Sequence, residues 1–165
     1  MANQRAQVVM SDDEVEEFLH QQRSATIATL GPQGRPHLVA MWYAVHDGAV
    51  WIETKAKSQK VVNLRRDPTM SFLVETGHTY DQLRGVSLEG TATIIEDESV
   101  VWDVCVNVFE RYNAPYTEEL RPFVEVMAKN RVVVRLDPVR TRSWDHRKLG
   151  LPVMELGGST AEFLD

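Results

Sequence analysis

A mainly β fold is predicted: a small antiparallel barrel of about seven strands with flanking helices. Two observations in the sequence predict it. Short strand-like segments, such as the alternating, β-branched SATIATL (24–30) and TMSFLVET (69–76), recur along the chain. They follow one another through turn signals, above all Asp47-Gly48, whose residues tolerate positive φ in a two-residue hairpin. Hairpin-linked strands form an antiparallel sheet, and closing that sheet removes exposed edges.

In chain order, residues 1–10 carry no strong pattern and read as a flexible arm. Ser11 with Glu14 spells a capping box. It opens an amphipathic helix over 11–22, with Val15, Phe18 and Leu19 on one face. Strands are expected at 24–30, 35–45 and 49–54, separated by Gly31-Pro32-Gln33-Gly34 and Asp47-Gly48. Residues 58–66 read as a short helix stopped by Asp67-Pro68. Strands follow at 69–76 and 86–95, with Gly90 marking a bulge or bend. A helical insert occupies 97–129: Val101, Trp102, Cys105, Val108, Phe109 and Tyr112 form one stripe, and Leu120, Phe123, Val124 and Met127 a second. Strands resume at 131–136, break at Asp137-Pro138 and end over 139–145, leaving an irregular tail over 150–165.

The chain has 165 residues, suiting one domain over 11–149, and 43% of them are hydrophobic, enough for a core without disulfides. Its single cysteine, Cys105, fits a reducing, cytoplasmic setting. No apolar h-region opens the chain, so no signal peptide is expected, and no apolar run is long enough to span a membrane. A net charge of −6 argues against a general nucleic-acid binder.

Within this acidic chain, residues 55–66 hold Lys55, Lys57, Lys60, Arg65 and Arg66 and no acid. Thr54 and Ser58 flank the cluster, with Ser58 at a helix start, where unpaired N–H groups favour an anion. Two readings stand: a phosphate site, or a solvated helix face. A second basic group surrounds Trp144: Arg140, Arg142, His146, Arg147 and Lys148. Trp144 either packs on a planar ring or belongs to the core or a subunit interface. The five histidines show no metal-ligand spacing, and Cys105 lies on an apolar stripe as a small buried hydrophobe. No metal site is expected, and no side chain is marked as the catalytic acid; water, Tyr43 and His78 are the possible proton sources.

The segment from Ser24 to Glu75 resembles the split β-barrel flavin-binding superfamily of pyridoxamine 5′-phosphate oxidases. The matching features are a strand–turn–strand–hairpin–strand unit leading to Thr54, the triplet Ser58-Gln59-Lys60 and a helix ended by Asp67-Pro68. The ending TRSWDHRKL resembles the branch of flavin/deazaflavin oxidoreductases that use coenzyme F420. The resemblance implies a six- or seven-stranded, Greek-key-like split barrel and a homodimer with two equivalent cofactor sites. It implies that Thr54, Ser58 and Lys60 meet the cofactor phosphate, with Lys55 and Lys57 nearby. The ring would lie against His37, Val39, Ala40, Met41 and Trp42, and the second subunit would contribute Arg142 and Trp144.

Two departures refine this. The triplet's usual arginine is Gln59 here, which suits the singly charged phosphodiester of F420 better than the nearly doubly charged FMN phosphate. The C-terminus also lacks the Arg-x-His substrate motif of pyridoxamine-phosphate oxidases. The expectation is therefore an F420-dependent reductase acting on a small conjugated organic substrate. An FMN-dependent oxidoreductase of the same fold and a non-catalytic carrier of F420, FMN or a tetrapyrrole are the alternatives.

Overall fold

A computed structural model describes residues 4–164. Its backbone is mainly β with flanking helices, as expected. The strands are β1 (Ala25–Leu30), β2 (Pro36–Met41), β3 (Ala44–His46), β4 (Ala49–Lys55), β5 (Thr69–Thr76), β6 (Arg84–Ile95) and β7 (Arg131–Asp145). They form one seven-stranded sheet in the order β2-β1-β5-β6-β7-β4-β3. The helices are α1 (Gln4–Gln7), α2 (Asp12–Gln21), α3 (Gln59–Arg66), α4 (Glu98–Tyr112) and α5 (Arg121–Ala128). None is long and apolar enough to cross a membrane.

The chain groups into two compact units. The first gathers the N-terminal residues to Gln22, 74–87 and 142 onward; the second holds 23–73 and 88–141. In the first unit, Ser11 caps α2 as the capping box predicts: Glu14 N–H donates to Ser11 Oγ, and Ser11 N–H donates to Glu14 Oε2. Residues 4–10 do not read as a loose arm. They contain α1, and Val8 and Met10 are buried. The Val8 carbonyl accepts from Asp145 N–H, and Met10 N–H donates to Ser143 Oγ. Residues 1–3 of the expected arm lie outside the described residues.

In the second unit, β1 pairs antiparallel with β2 (Thr29 opposite His37, Ala25 opposite Met41) and with β5. The Asp47-Gly48 hairpin forms with both φ values positive, 49° and 68°, and returns β3 into β4. Two strand expectations change. The segment 35–45 is divided, because Trp42 and Tyr43 leave the ladder between β2 and β3. Conversely, β7 runs unbroken through Asp137-Pro138. Gly90 of β6 lies against the Asp137 carbonyl and Pro138, where any side chain would overlap them. A bare glycine lets the two backbones approach closely.

Tyr43, Phe72, Ile27, Ile52 and Met70 fill the core, with Tyr43 edge-on to Phe72. The insert has a structural role: Val101, Val104, Cys105 and Val108 of α4 and Val124 of α5 pack on Ala44, Trp51 and Val133 of the sheet. Each fully buried aliphatic side chain there contributes about 1.5–3 kcal/mol.

Candidate functional site

β4 delivers Thr54 at its end, and the turn that follows leads into α3. The β period places Val50, Ile52 and Thr54 on one face, so Thr54 is buried at 3% exposure although polar. A buried hydroxyl needs partners, and two converge on it. Lys60 Nζ donates to Thr54 Oγ1 (3.0 Å), and Ser58 Oγ lies 3.3 Å from the same oxygen. Ser58 is the residue before α3, yet its side chain makes no capping bond. The first N–H groups of α3 therefore have no partner from that hydroxyl. Burial pushes the Lys60 ammonium below the usual lysine range; the Glu53 carboxylate opposes this and the Arg131 guanidinium reinforces it.

The rest of the basic cluster divides. Lys55 and Lys57 are exposed beside the Thr54–Ser58–Lys60 cradle. Arg65 turns to Glu96 (2.7 Å) and the Ala56 carbonyl, and Arg66 donates to the Leu30 carbonyl. The solvated-face reading thus holds for the two arginines, while Lys60 takes part in the cradle.

Gln59 turns along its own helix: Nε2 donates to Asn63 Oδ1 (2.9 Å), and Asn63 Nδ2 donates to Thr29 Oγ1 (3.0 Å). Asn63 is fully buried. This chain fixes α3 to β1 at Thr29, opposite His37 of β2. His37 is half-buried, and its Nδ1 is buried with no hydrogen-bond partner among the described residues. An orphaned ring nitrogen on β2 fits a ligand laid along that strand. Val39 and Met41 are half-buried and Ala40 exposed, so β2 buries no side chain. Trp42 is 54% exposed.

Arg142 and Trp144 belong to the first unit. Arg142 is exposed; Trp144 is half-buried, with its six-membered ring against Gly85. Tyr43 is 0% exposed and its hydroxyl is pushed up to about 12 by burial, which removes it as a ready proton donor. His78 is exposed. Cys105 is buried, and burial followed by the Glu53 charge raises its thiol to about 12. Among the described residues no group of side chains could hold a metal ion.

Sequence reasoning missed three features. Glu53 and Arg131 form an ion pair across the β4–β7 ladder. Asn63 is the buried link from α3 to β1. Tyr112 stacks on Trp42. Only Asn63 left a signal in the sequence: a polar residue between Val62 and Leu64 on a short helix.

A family model described as pyridoxamine 5′-phosphate oxidase matches residues 11–145. The F420H2-dependent biliverdin reductase of Mycobacterium tuberculosis (strain CDC 1551 / Oshkosh) is 30% identical over 119 residues, covering 71% of this chain and 82% of that one. The crystal structure of a conserved hypothetical protein from Mycobacterium tuberculosis matches at 60% identity with a TM-score of 0.93, over 94% of this chain and 98% of that one. An F420 reductase structure matches in fold, with 23% identity and a TM-score of 0.60, over 76% of this chain and 94% of that one.

Proposed function

The chain belongs to the pyridoxamine 5′-phosphate oxidase family, and from that premise we propose that it is an F420-dependent oxidoreductase acting on a small conjugated organic substrate. The observation that carries the proposal is the convergence of Lys60 and Ser58 on Thr54, with Gln59 turned away to Asn63. A single ammonium with two hydroxyls suits a singly charged phosphodiester. The biliverdin reductase relative, which uses F420H2, supports the same choice.

In this reading Lys60 and Ser58 hold the phosphoryl oxygens, and Thr54 orients both. Lys55 and Lys57 attract the acidic tail of the cofactor. His37, Val39, Ala40 and Met41 supply a flank for the ring, with Trp42 at the end of the strand. The protein is a cytoplasmic homodimer, each subunit completing the other's site with Arg142 and Trp144. When bound, the reduced deazaflavin supplies hydride chemistry, and the protein contributes position and electrostatics. Burial disfavours Tyr43 as the proton source, which leaves water and the exposed His78.

Titrating the purified protein with F420 and with FMN under identical conditions, following ring fluorescence, tests the proposal. Tighter F420 binding that collapses in Lys60→Ala supports it; unchanged affinity in that variant overturns the site. The exposed Lys55 and Lys57 could complement a doubly charged phosphate, so tighter FMN binding would favour an FMN-dependent oxidoreductase instead. Binding without turnover would favour a carrier, a reading supported by the burial of Tyr43.

A further inference from the structure

Trp144 lies on a bare glycine. A side chain at Gly85 of β6 would meet Cε2, Cζ2 and Cη2, three adjoining carbons of the indole, all within 2.7 Å. The ring therefore rests there by its face, since an edge-on approach to Cζ2 would leave the two flanking carbons farther off. Only glycine leaves room for this. The indole is half-buried, and among the described residues no other ring and no cation lies against it.

The N-terminal segment fastens the backbone on both sides of Trp144. Met10 N–H donates to Ser143 Oγ (3.0 Å), and Asp145 N–H donates to the Val8 carbonyl (2.7 Å). Lys148 reaches Val9, between them: its Nζ donates to the Val9 carbonyl (2.8 Å) and to Glu14 Oε2 (2.6 Å). The same carboxylate oxygen accepts from Ser11 N–H (2.7 Å), so this clasp is joined to the cap of α2. His146 N–H donates to the Leu83 carbonyl (2.9 Å), beside the start of β6. Val8 and Met10 are buried, so apolar contact also holds the segment down.

An aromatic ring over a strand glycine by itself stabilises a sheet. The bonds from residues 8–10 act elsewhere, on Ser143 and Asp145 rather than on the ring, and fix where the backbone carries it. We infer that residues 8–10, fastened by Lys148, are a positioning element of the ligand site: they hold Trp144 flat on Gly85, with its second face ready for a planar ring. Calling that ring the cofactor's rests on the proposal that Trp144 completes the other subunit's site; the placing of the indole does not.

The test uses the full chain as wild type, Lys148→Met, Ser143→Ala, Gly85→Ala and Trp144→Leu, each titrated with F420 and with FMN. Trp144→Leu should lower the affinity of the cofactor that binds about two- to tenfold, the scale of a lost aromatic contact. The other three variants should lower it by up to that factor. Added to Trp144→Leu, none of the three should cost anything further, because no indole is left to place. A second readout needs no cofactor. In protein containing fluorotryptophan, the fluorine resonance of Trp144, assigned by its loss in Trp144→Phe, should shift or broaden in Lys148→Met and in Ser143→Ala. Those of Trp42, Trp51 and Trp102 should hold.

A further loss of affinity when Lys148→Met is added to Trp144→Leu overturns the inference, since the segment would then act on the fold or on the ligand directly. An unmoved Trp144 resonance in both Lys148→Met and Ser143→Ala overturns it as well. So does unchanged cofactor affinity in Trp144→Leu, which removes the indole from the site. If neither cofactor binds the wild type while the resonance responds as expected, the cofactor reading falls and the positioning of Trp144 by residues 8–10 stands.

Discussion

Lys60 donates a 3.0 Å hydrogen bond from Nζ to Oγ1 of Thr54, so a helix lysine and a buried strand hydroxyl are joined where β4 gives way to α3. Thr54→Val keeps the shape of this corner and removes the acceptor. Net hydrogen bonds of this kind are worth about 0.5–1.5 kcal/mol, so cofactor affinity should fall roughly two- to tenfold. Lys60→Ala removes a charged contact worth about 1.5–3 kcal/mol and should cost roughly ten- to a hundredfold. Calorimetric titration of both variants checks the ranking, and an equal or reversed order would contradict the assigned roles.

The same lysine sets a pH dependence. Only its protonated form attracts an anion. Burial lowers its pKa from the ordinary 10.5, so it loses its proton earlier than an exposed lysine as pH rises. Cofactor affinity should be fully present at neutral pH and begin to fall at a pH below that ordinary value. In Lys60→Ala this alkaline step should vanish. Affinity measured across pH 7–10 in the two proteins gives the answer, and an identical slope in both would exclude Lys60 as the source.

Asn63 is buried and uses both ends of its amide, accepting from Gln59 and donating to Thr29. Asn63→Ala leaves the Thr29 hydroxyl, 1% exposed, without that donor. An unsatisfied buried polar group costs about 1–3 kcal/mol, and thermal unfolding should register a loss of that size. Cofactor affinity should fall as well, since α3 loses its tie to β1. A variant that melts like the wild type would show that the bridge is dispensable.

Gly90→Ala should destabilise the fold by at least about 1–3 kcal/mol, the usual range for overpacking. A methyl group there would overlap the Asp137 carbonyl, and backbone cannot rotate aside as a side chain can. Denaturant unfolding measures it, and a neutral result would mean that β6 and β7 lie farther apart than described.

Cys105 should be inert in the native protein. Burial raises its thiol to about 12, so little thiolate exists near neutrality. A chromogenic disulfide reagent at pH 8 should react only after denaturant is added. Fast reaction of the native protein would place Cys105 at an accessible surface.

Much of the fold was legible because its signals are local. The capping box at Ser11 and Glu14, the positive-φ pair Asp47-Gly48 and the alternating, β-branched run Ala25–Leu30 each depend on neighbours a few residues away. The basic cluster could likewise be located by charge alone. The two misread strand regions depend on distant partners. Pro138 stays in β7 where Gly90 of β6 allows close approach, and Trp42 leaves the ladder where Tyr112 of the insert grips Tyr43.

The sequence by itself determined which elements form, since backbone preference and hydrophobic period act over a few residues. It also determined that a lysine-rich helix start follows the third long strand segment. Only the tertiary structure decided which cations serve the cradle. Lys60 reaches Thr54, while Arg65 and Arg66 find partners at Glu96 and the Leu30 carbonyl, residues 31 and 36 positions away. A side chain's role follows from whichever partner satisfies its charge, and here folding brings those partners from remote parts of the chain.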